Sequence, residues 1–250
     1  MAAVTQAGQA LVETFAQIRI INLRSRADRR REMGQELARL GLSLDHPQIA
    51  LHEASRFDDA GVFPSIGARG CFHSHLAVLE EALASGAPSL LIFEDDLDFA
   101  RNIETLLPAA LDALRGQDWS FFYGGHERVA PGDVIRSGPI MRVEAGEPIR
   151  LAHFLGLRRE AIVPLVPYLR AMLDRAPGSP DGGPMHVDGA YSWFRKTHPR
   201  FETWLAEPQL GHQRPSRTDI HQLGIADRTP VLRDLLALAR RVKRRMRNSG

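Results

Sequence analysis

The chain has 250 residues, 44% hydrophobic and 25% charged, a composition that supports a globular fold with a substantial core. Its formal charge of +2 is unevenly spread: residues 231–250 hold seven basic side chains against Asp234 and carry +6, leaving −4 on the remainder. A mildly acidic body argues against nucleic acid as a partner of the fold, and the single cysteine, Cys71, argues against an internal disulfide or a cysteine-based zinc cage.

One cysteine also fits a reducing cytosol. The opening MAAVTQAGQALVETFAQ lacks the basic-then-apolar pattern of a secretory signal, and no run approaches the ~18 apolar residues of a spanning helix. The expected location is therefore cytoplasmic.

In chain order, residues 1–16 read as a loosely held arm. Residues 18–23 (IRIINL) form a β-branched run expected as a buried strand. Asp28 is the expected N-cap of a helix over 29–40, with Met33, Leu37 and Leu40 at helical spacing and Gly41 ending it. A strand over 48–52 and a Gly/Pro/Ser/Asp loop over 55–68 follow. From Gly70, the spacing of Leu76, Leu79 and Leu83 predicts a second helix, closed at Ser85 and Gly86.

Residues 89–93 (SLLIF) predict a strand, and its 90–93 run is continuously apolar, as expected for a strand covered on both faces. A helix over 102–115 and a strand over 119–123, stopped by Gly124 and Gly125, come next. Residues 126–148 are turn-rich. A strand over 149–157, a helix over 161–175, a loop over 177–184, a helix over 186–196 and a strand over 201–206 complete the body.

Strands alternating with helices predict an α/β fold with a mainly parallel sheet and helices on both faces. One domain is expected over 17–225, with a tail over 226–250. Within the tail, Leu232, Leu235, Ala239, Val242 and Met246 make an apolar stripe among basic residues. Residues 231–247 thus read either as a basic amphipathic helix on an anionic membrane surface or as one docked on its own domain.

The most informative segment is Phe93-Glu94-Asp95-Asp96, directly after the apolar strand. In open α/β sheets, ligands bind beyond the carboxyl ends of the strands. Adjacent carboxylates there repel and resist desolvation, and a hard divalent cation relieves both costs. The corner therefore points to Mn²⁺ or Mg²⁺ holding a phosphorylated substrate, with Asp96 as the main ligand, Glu94 as its partner and Asp95 beside them. Asp98 reads as an exposed turn residue. The competing reading is a solvated acidic turn.

Four segments together resemble glycosyltransferase family 25, the group that contains bacterial lipopolysaccharide sugar transferases: INLRSRADRR at 21–30, GARGCFHSHL at 67–76, LLIFEDDLDF at 90–99 and EPQLGHQRPSRTDI at 207–220. The resemblance implies a GT-A-like α/β/α sandwich, Mn²⁺ or Mg²⁺ and a nucleotide-sugar donor, in particular a uridine diphosphate sugar. Glu94-Asp95-Asp96 would stand in the place of the Asp-x-Asp motif.

The resemblance also implies roles for other residues. Asn22 and Leu23 would neighbour the base and ribose by backbone contact, Arg26, Arg29 and Arg30 would follow the first strand where the nucleotide lies, with Arg29 or Arg30 meeting phosphate or base, and His75 would stand near the donor. Each of the three arginines has the alternative of an ordinary charged helix face, and His75 that of a hydrogen-bonded structural residue. His212 would be a late metal ligand or a surface loop histidine.

An inverting transfer needs a base, and Asp188 in GGPMHVDGAYSWF is the candidate, with a helix-capping aspartate as its rival reading. Tyr191 and Trp193 read as sugar-stacking or core residues, and Cys71 as a small buried hydrophobe rather than a nucleophile. Ser216 and Asp219 receive no single role.

The expected function is transfer of a sugar to a saccharide or glycolipid acceptor, on the inner face of the cytoplasmic membrane if the tail binds lipid. The alternatives are a metal-dependent phosphohydrolase or nuclease using the same carboxylates, and a non-catalytic module on a membrane surface.

Overall fold

The computed structural model describes residues 3–214. In chain order the elements are α1 (Gln6–Thr14), β1 (Gln17–Asn22), α2 (Ala27–Arg39), β2 (Ile49–Glu53), α3 (Ile66–Ser85), β3 (Ser89–Glu94), β4 (Leu97–Phe99), α4 (Ile103–Arg115) and β5 (Phe121–Tyr123). Then come β6 (Glu127–Arg128), β7 (Val134–Ser137), β8 (Ile140–Val143), β9 (Ile149–Arg150), β10 (Phe154–Arg158), α5 (Arg159–Leu173), α6 (Val187–Thr197), β11 (Thr203–Ala206) and β12 (Gly211–Gln213). The tail expected over 231–247 lies outside the described residues.

An eight-stranded sheet in the order β2-β1-β3-β10-β5-β11-β8-β7 forms the centre. β10 and β8 run against the other strands, which share one direction. The residues of β3 alternate between two cores. Leu90 and Ile92 pack with side chains of α3, α5 and α6, whereas Leu91 and Phe93 pack with those of α1, α2 and α4. That double coverage is why residues 90–93 are apolar without a break, and it makes the fold the expected α/β/α sandwich with a mainly parallel sheet.

Several boundaries differ from the sequence reading. Residues 6–14 are not a loose arm but helix α1. Thr5 caps it through a hydrogen bond from the Gly8 N–H (3.1 Å), and Ala7 and Leu11 are buried in the core shared with α4. Its apolar face is only a few residues wide, so it is weakly periodic by itself. Helix α2 starts at Ala27 with Arg26 at the cap, so Asp28 lies in the first turn, where it suits the positive end of the helix dipole.

Helix α3 begins one turn before Gly70, because Ser65 accepts a hydrogen bond from the Ala68 N–H (3.0 Å). The turn-rich stretch 126–148 holds three short strands, two of which, β7 and β8, extend the main sheet. β4 and β12, absent from the sequence reading, pair antiparallel as a separate ribbon beside the acidic corner.

Candidate functional site

The acidic corner lies where β3 ends. Alternation sends Glu94 to the α3 side of the sheet, opposite Phe93, and Asp95 and Asp96 form the turn into β4. On α3, the stretch GCFHSH is arranged around this point. A Cβ on Gly70 would lie 2.7 Å from the Ser55 carbonyl oxygen, so glycine is needed for the β2–α3 loop to pass this close. The Ser74 hydroxyl accepts from the Ser55 N–H (2.8 Å) and donates to the Gly70 carbonyl (2.7 Å), which ties that loop to the helix. Cys71 and His75, one turn apart, then share a face that meets Glu94.

His75 is fully buried. Its Nε2 lies 3.2 Å from Glu94 Oε1 and its Nδ1 lies 3.0 Å from the Tyr191 hydroxyl of α6. Cys71 Sγ lies 3.9 Å from the same Glu94 oxygen. Burial works against the Glu94 charge, but the His75 hydrogen bond, together with the His75 and His153 charges, outweighs it and holds the carboxyl below its usual range. Burial, with Glu94 nearby, pushes the Cys71 thiol up, the opposite of the shift that activates a nucleophilic cysteine.

Asp95 accepts a hydrogen bond from Asn22 Nδ2 (2.6 Å), and Asn22 Oδ1 in turn accepts from Arg30 (3.0 Å). Burial raises the Asp95 carboxyl. Asn22 and Arg30 therefore brace the corner rather than line the cavity beside it.

Asp96 is 5% exposed. Its Oδ2 accepts from Gln213 Nε2 (2.9 Å), and its Oδ1 is buried with no hydrogen-bond partner among the described residues. Burial, reinforced by the Glu94 charge, pushes its pKa from 3.8 up to about 7. Asp98 corrects the sequence reading. It is buried, and Arg214 of the segment after β12 donates to it at 2.8 and 2.5 Å while also pairing with Glu32 of α2.

Two cavities meet here. The first, of about 620 Å³, opens beyond the carboxyl ends of β1 and β3 and is lined by Leu23, Arg26, Arg29, the 54–58 loop, His75, Asp95 and Asp96. Arg29 is 3% exposed, and its Nη1 is buried without a hydrogen-bond partner among the described residues. The second, of about 940 Å³, is lined by Arg150, Leu151, His186, Asp188, Trp193 and Lys196. Cys71, Glu94 and Gln213 line both cavities.

Asp188 lies in the first turn of α6, whose capping residue is His186. Its carboxylate accepts from the Leu151 N–H (3.1 Å) and the Gly189 N–H (2.7 Å). Leu151 has φ of 72°, an uncommon conformation for a residue with a side chain, and the Asp188 bond holds it there. Trp193 lines the second cavity, whereas Tyr191 is buried in the core with its hydroxyl on His75.

The structure does not assemble Asp96, Glu94 and His212 as one ligand set. Among the described residues, the metal-capable side chains whose ligand atoms lie within 4.8 Å of one another are Cys71, His75 and Glu94. His212 stands beside Asp98 in the β4–β12 ladder and lines neither cavity. Strand alternation along β12 gives the corner Gln213 in its place. Gln213 and Arg214 were missed by the sequence reading, and their only local signal was their position next to His212. Ser216 and Asp219 lie outside the described residues.

Residues 15–131 match the family model "Glycosyltransferase family 25 (LPS biosynthesis protein)". The match contains three of the four segments that carry the resemblance and ends before 207–220. A Homo sapiens protein named "Inactive glycosyltransferase 25 family member 3" is 28% identical over 135 residues, which are 47% of this chain and 23% of the relative. The Aedes aegypti "Glycosyltransferase 25 family member" is 29% identical over 133 residues, which are 46% of this chain and 22% of the relative. The chain thus aligns with less than a quarter of the length of each.

Among solved structures, A197 from STIV covers 83% of this chain and 97% of its own, at 10% identity and a TM-score of 0.40. A glycosyltransferase involved in the glycosylation of the major capsid of PBCV-1 covers 76% and 92%, at 11% identity and a TM-score of 0.39.

Proposed function

We propose that this chain, whose residues 15–131 match the glycosyltransferase family 25 model, transfers a sugar from a nucleotide-sugar donor, a uridine diphosphate sugar in our reading, to a saccharide or glycolipid acceptor. The observation that carries the proposal is the pair of cavities joined at Glu94, one bordered by arginines and carboxylates and the other by an aromatic ring and a carboxylate. A transferase needs two substrates held apart and meeting at one point, whereas a phosphohydrolase or nuclease needs one substrate and water.

In this reading the first cavity holds the donor. Arg26 and Arg29 meet the diphosphate, since a guanidinium grips phosphate through two parallel N–H groups. The buried, unpartnered Asp96 Oδ1 is the kind of hard oxygen donor that suits Mn²⁺ or Mg²⁺, with Asp95 adjacent. Such a cation would neutralise charge on the departing diphosphate.

The second cavity holds the acceptor. Trp193 stacks on a sugar ring, and Asp188 accepts the proton of the attacking hydroxyl. Two backbone N–H bonds orient the Asp188 carboxylate, and the Leu151 turn that they pin forms part of the acceptor wall. The +6 charge of residues 231–250 would keep the protein at the anionic inner surface of the cytoplasmic membrane, next to a lipid-linked acceptor.

The test is a donor screen that reads nucleotide release from several nucleotide sugars, with calorimetric titration of UDP in the presence and absence of Mn²⁺. Binding of UDP strengthened by Mn²⁺ and lost in Asp96→Asn is expected. No UDP binding under either condition would sink the proposal. UDP binding without turnover of any donor and acceptor pair would leave a non-catalytic nucleotide-binding module, a reading favoured by the word "inactive" in the name of the human relative.

A further inference from the structure

The wall shared by the two cavities contains a side-chain set that the donor reading does not use. Cys71 Sγ, His75 Nε2 and one oxygen of Glu94 lie within 4.8 Å of one another. His75 Nε2 to Glu94 Oε1 is 3.2 Å and Cys71 Sγ to Glu94 Oε1 is 3.9 Å. Zinc bonds of their usual lengths to nitrogen, oxygen and sulfur, set at tetrahedral angles, give ligand-to-ligand edges of about 3.3–3.6 Å. The two measured edges differ from that range by a few tenths of an ångström. The third edge joins residues one helical turn apart on α3, which keeps it short whatever the loops do.

We propose that Cys71, His75 and Glu94 form a zinc site, distinct from the Mn²⁺ or Mg²⁺ position at Asp96. The donor set separates the two. A thiolate and an imidazole suit a borderline-soft ion, whereas the carboxylates and amide around Asp96 suit a hard one. Zn²⁺ displaces the Cys71 thiol proton to solvent. The thiolate and the Glu94 carboxylate then cancel the charge of the ion, so the half-buried site carries no net charge.

A zinc-bound histidine holds its second ring nitrogen on an outer partner, most often a carboxylate, a carbonyl or water; here the Tyr191 hydroxyl takes that place at Nδ1, which leaves Nε2 aimed at the site. Three protein ligands leave a fourth position open. It faces the cavities, since Cys71 and Glu94 line both and His75 lines the first. An ion there occupies the carboxylate at which donor and acceptor would meet. The site does not depend on the glycosyl-transfer reading, because its ligands and its test require no donor.

The experiment is a Co²⁺ titration of the full-length protein without nucleotide, followed by displacement with Zn²⁺. A thiolate-to-cobalt charge-transfer band is expected, and Cys71 is its one possible source because the chain has a single cysteine. The band should vanish in Cys71→Ser and persist in Asp96→Asn. Tyr191→Phe, which removes the outer partner, should weaken Zn²⁺ binding by roughly 10–100-fold. Binding should also tighten as pH rises, since a proton is released.

A second measurement needs no variant: Zn²⁺ should slow alkylation of Cys71 by a maleimide in the wild-type protein. Absence of the band at saturating Co²⁺, equal Zn²⁺ affinity in wild type and Cys71→Ser, or an alkylation rate indifferent to Zn²⁺ would each overturn the proposal.

Discussion

Asp96 places a carboxyl group where charge is costly, and the cost is measurable as a pH dependence of stability. Its pKa rises from 3.8 in the unfolded chain to about 7 in the fold, about three pH units, or on the order of 4 kcal/mol at about 1.4 kcal/mol per unit. The folded state holds this proton more tightly than the unfolded chain. The contribution is therefore fully present below about pH 4 and is lost as pH rises through about 7. Of that total, roughly 2–3 kcal/mol falls between pH 5 and pH 8.

Asp96→Asn keeps an oxygen to accept from Gln213 and removes the ionisation. Urea denaturation of both proteins at pH 5 and pH 8, in the presence of EDTA, isolates the effect, because every other titrating group is common to the two. The variant should gain about 2–3 kcal/mol on the wild type between the two pH values, which is roughly 5–10 °C in Tm for a protein of this size. A stability difference that stays constant to within about 0.5 kcal/mol would refute the burial argument. Mn²⁺ at pH 8 should stabilise the wild type and leave Asp96→Asn unmoved. Equal stabilisation of both would place the ion elsewhere.

Arg29→Met should weaken UDP binding by roughly 10–100-fold, since it removes a charged donor worth about 1.5–3 kcal/mol, while thermal stability holds or rises; unchanged affinity in calorimetry would remove Arg29 from the donor site. Asp188→Asn should lower transfer by ~10²–10⁴-fold with UDP affinity unaltered, and an unchanged turnover would exclude Asp188 as the base. Leu11→Ala should cost about 2–5 kcal/mol in urea denaturation because its side chain is wholly enclosed between α1 and α4; a loss below about 0.5 kcal/mol would restore the loose arm.

What was legible in the sequence is local. The SLLIF run announced a strand buried on both faces, and Leu90 and Ile92 on one side with Leu91 and Phe93 on the other show why residues 90–93 are all apolar. The carboxylates immediately after it marked the ligand-binding end of the sheet, and both expected helices that flank it formed. These features follow from neighbours a few residues apart, through strand alternation and helical periodicity.

Other features depended on distant parts of the chain. Asp98 looked exposed because its partner, Arg214, lies 116 residues away. Gln213, 117 residues from Asp96, took the place expected for His212 once β12 paired with β4 and fixed which face of that strand meets the corner. Helix α1 escaped notice because its small apolar face acquires meaning only against α4.

The sequence by itself determined the alternation of strands and helices, the acidic corner and the helix face that carries Cys71 and His75, all set by local stereochemistry. Tertiary structure alone decided which charges are neutralised, that Glu94 lies between two cavities, and that Cys71, His75 and Glu94 converge. Those outcomes follow from desolvation and from pairing across the fold, and both depend on what packs nearby rather than on what lies next in the chain.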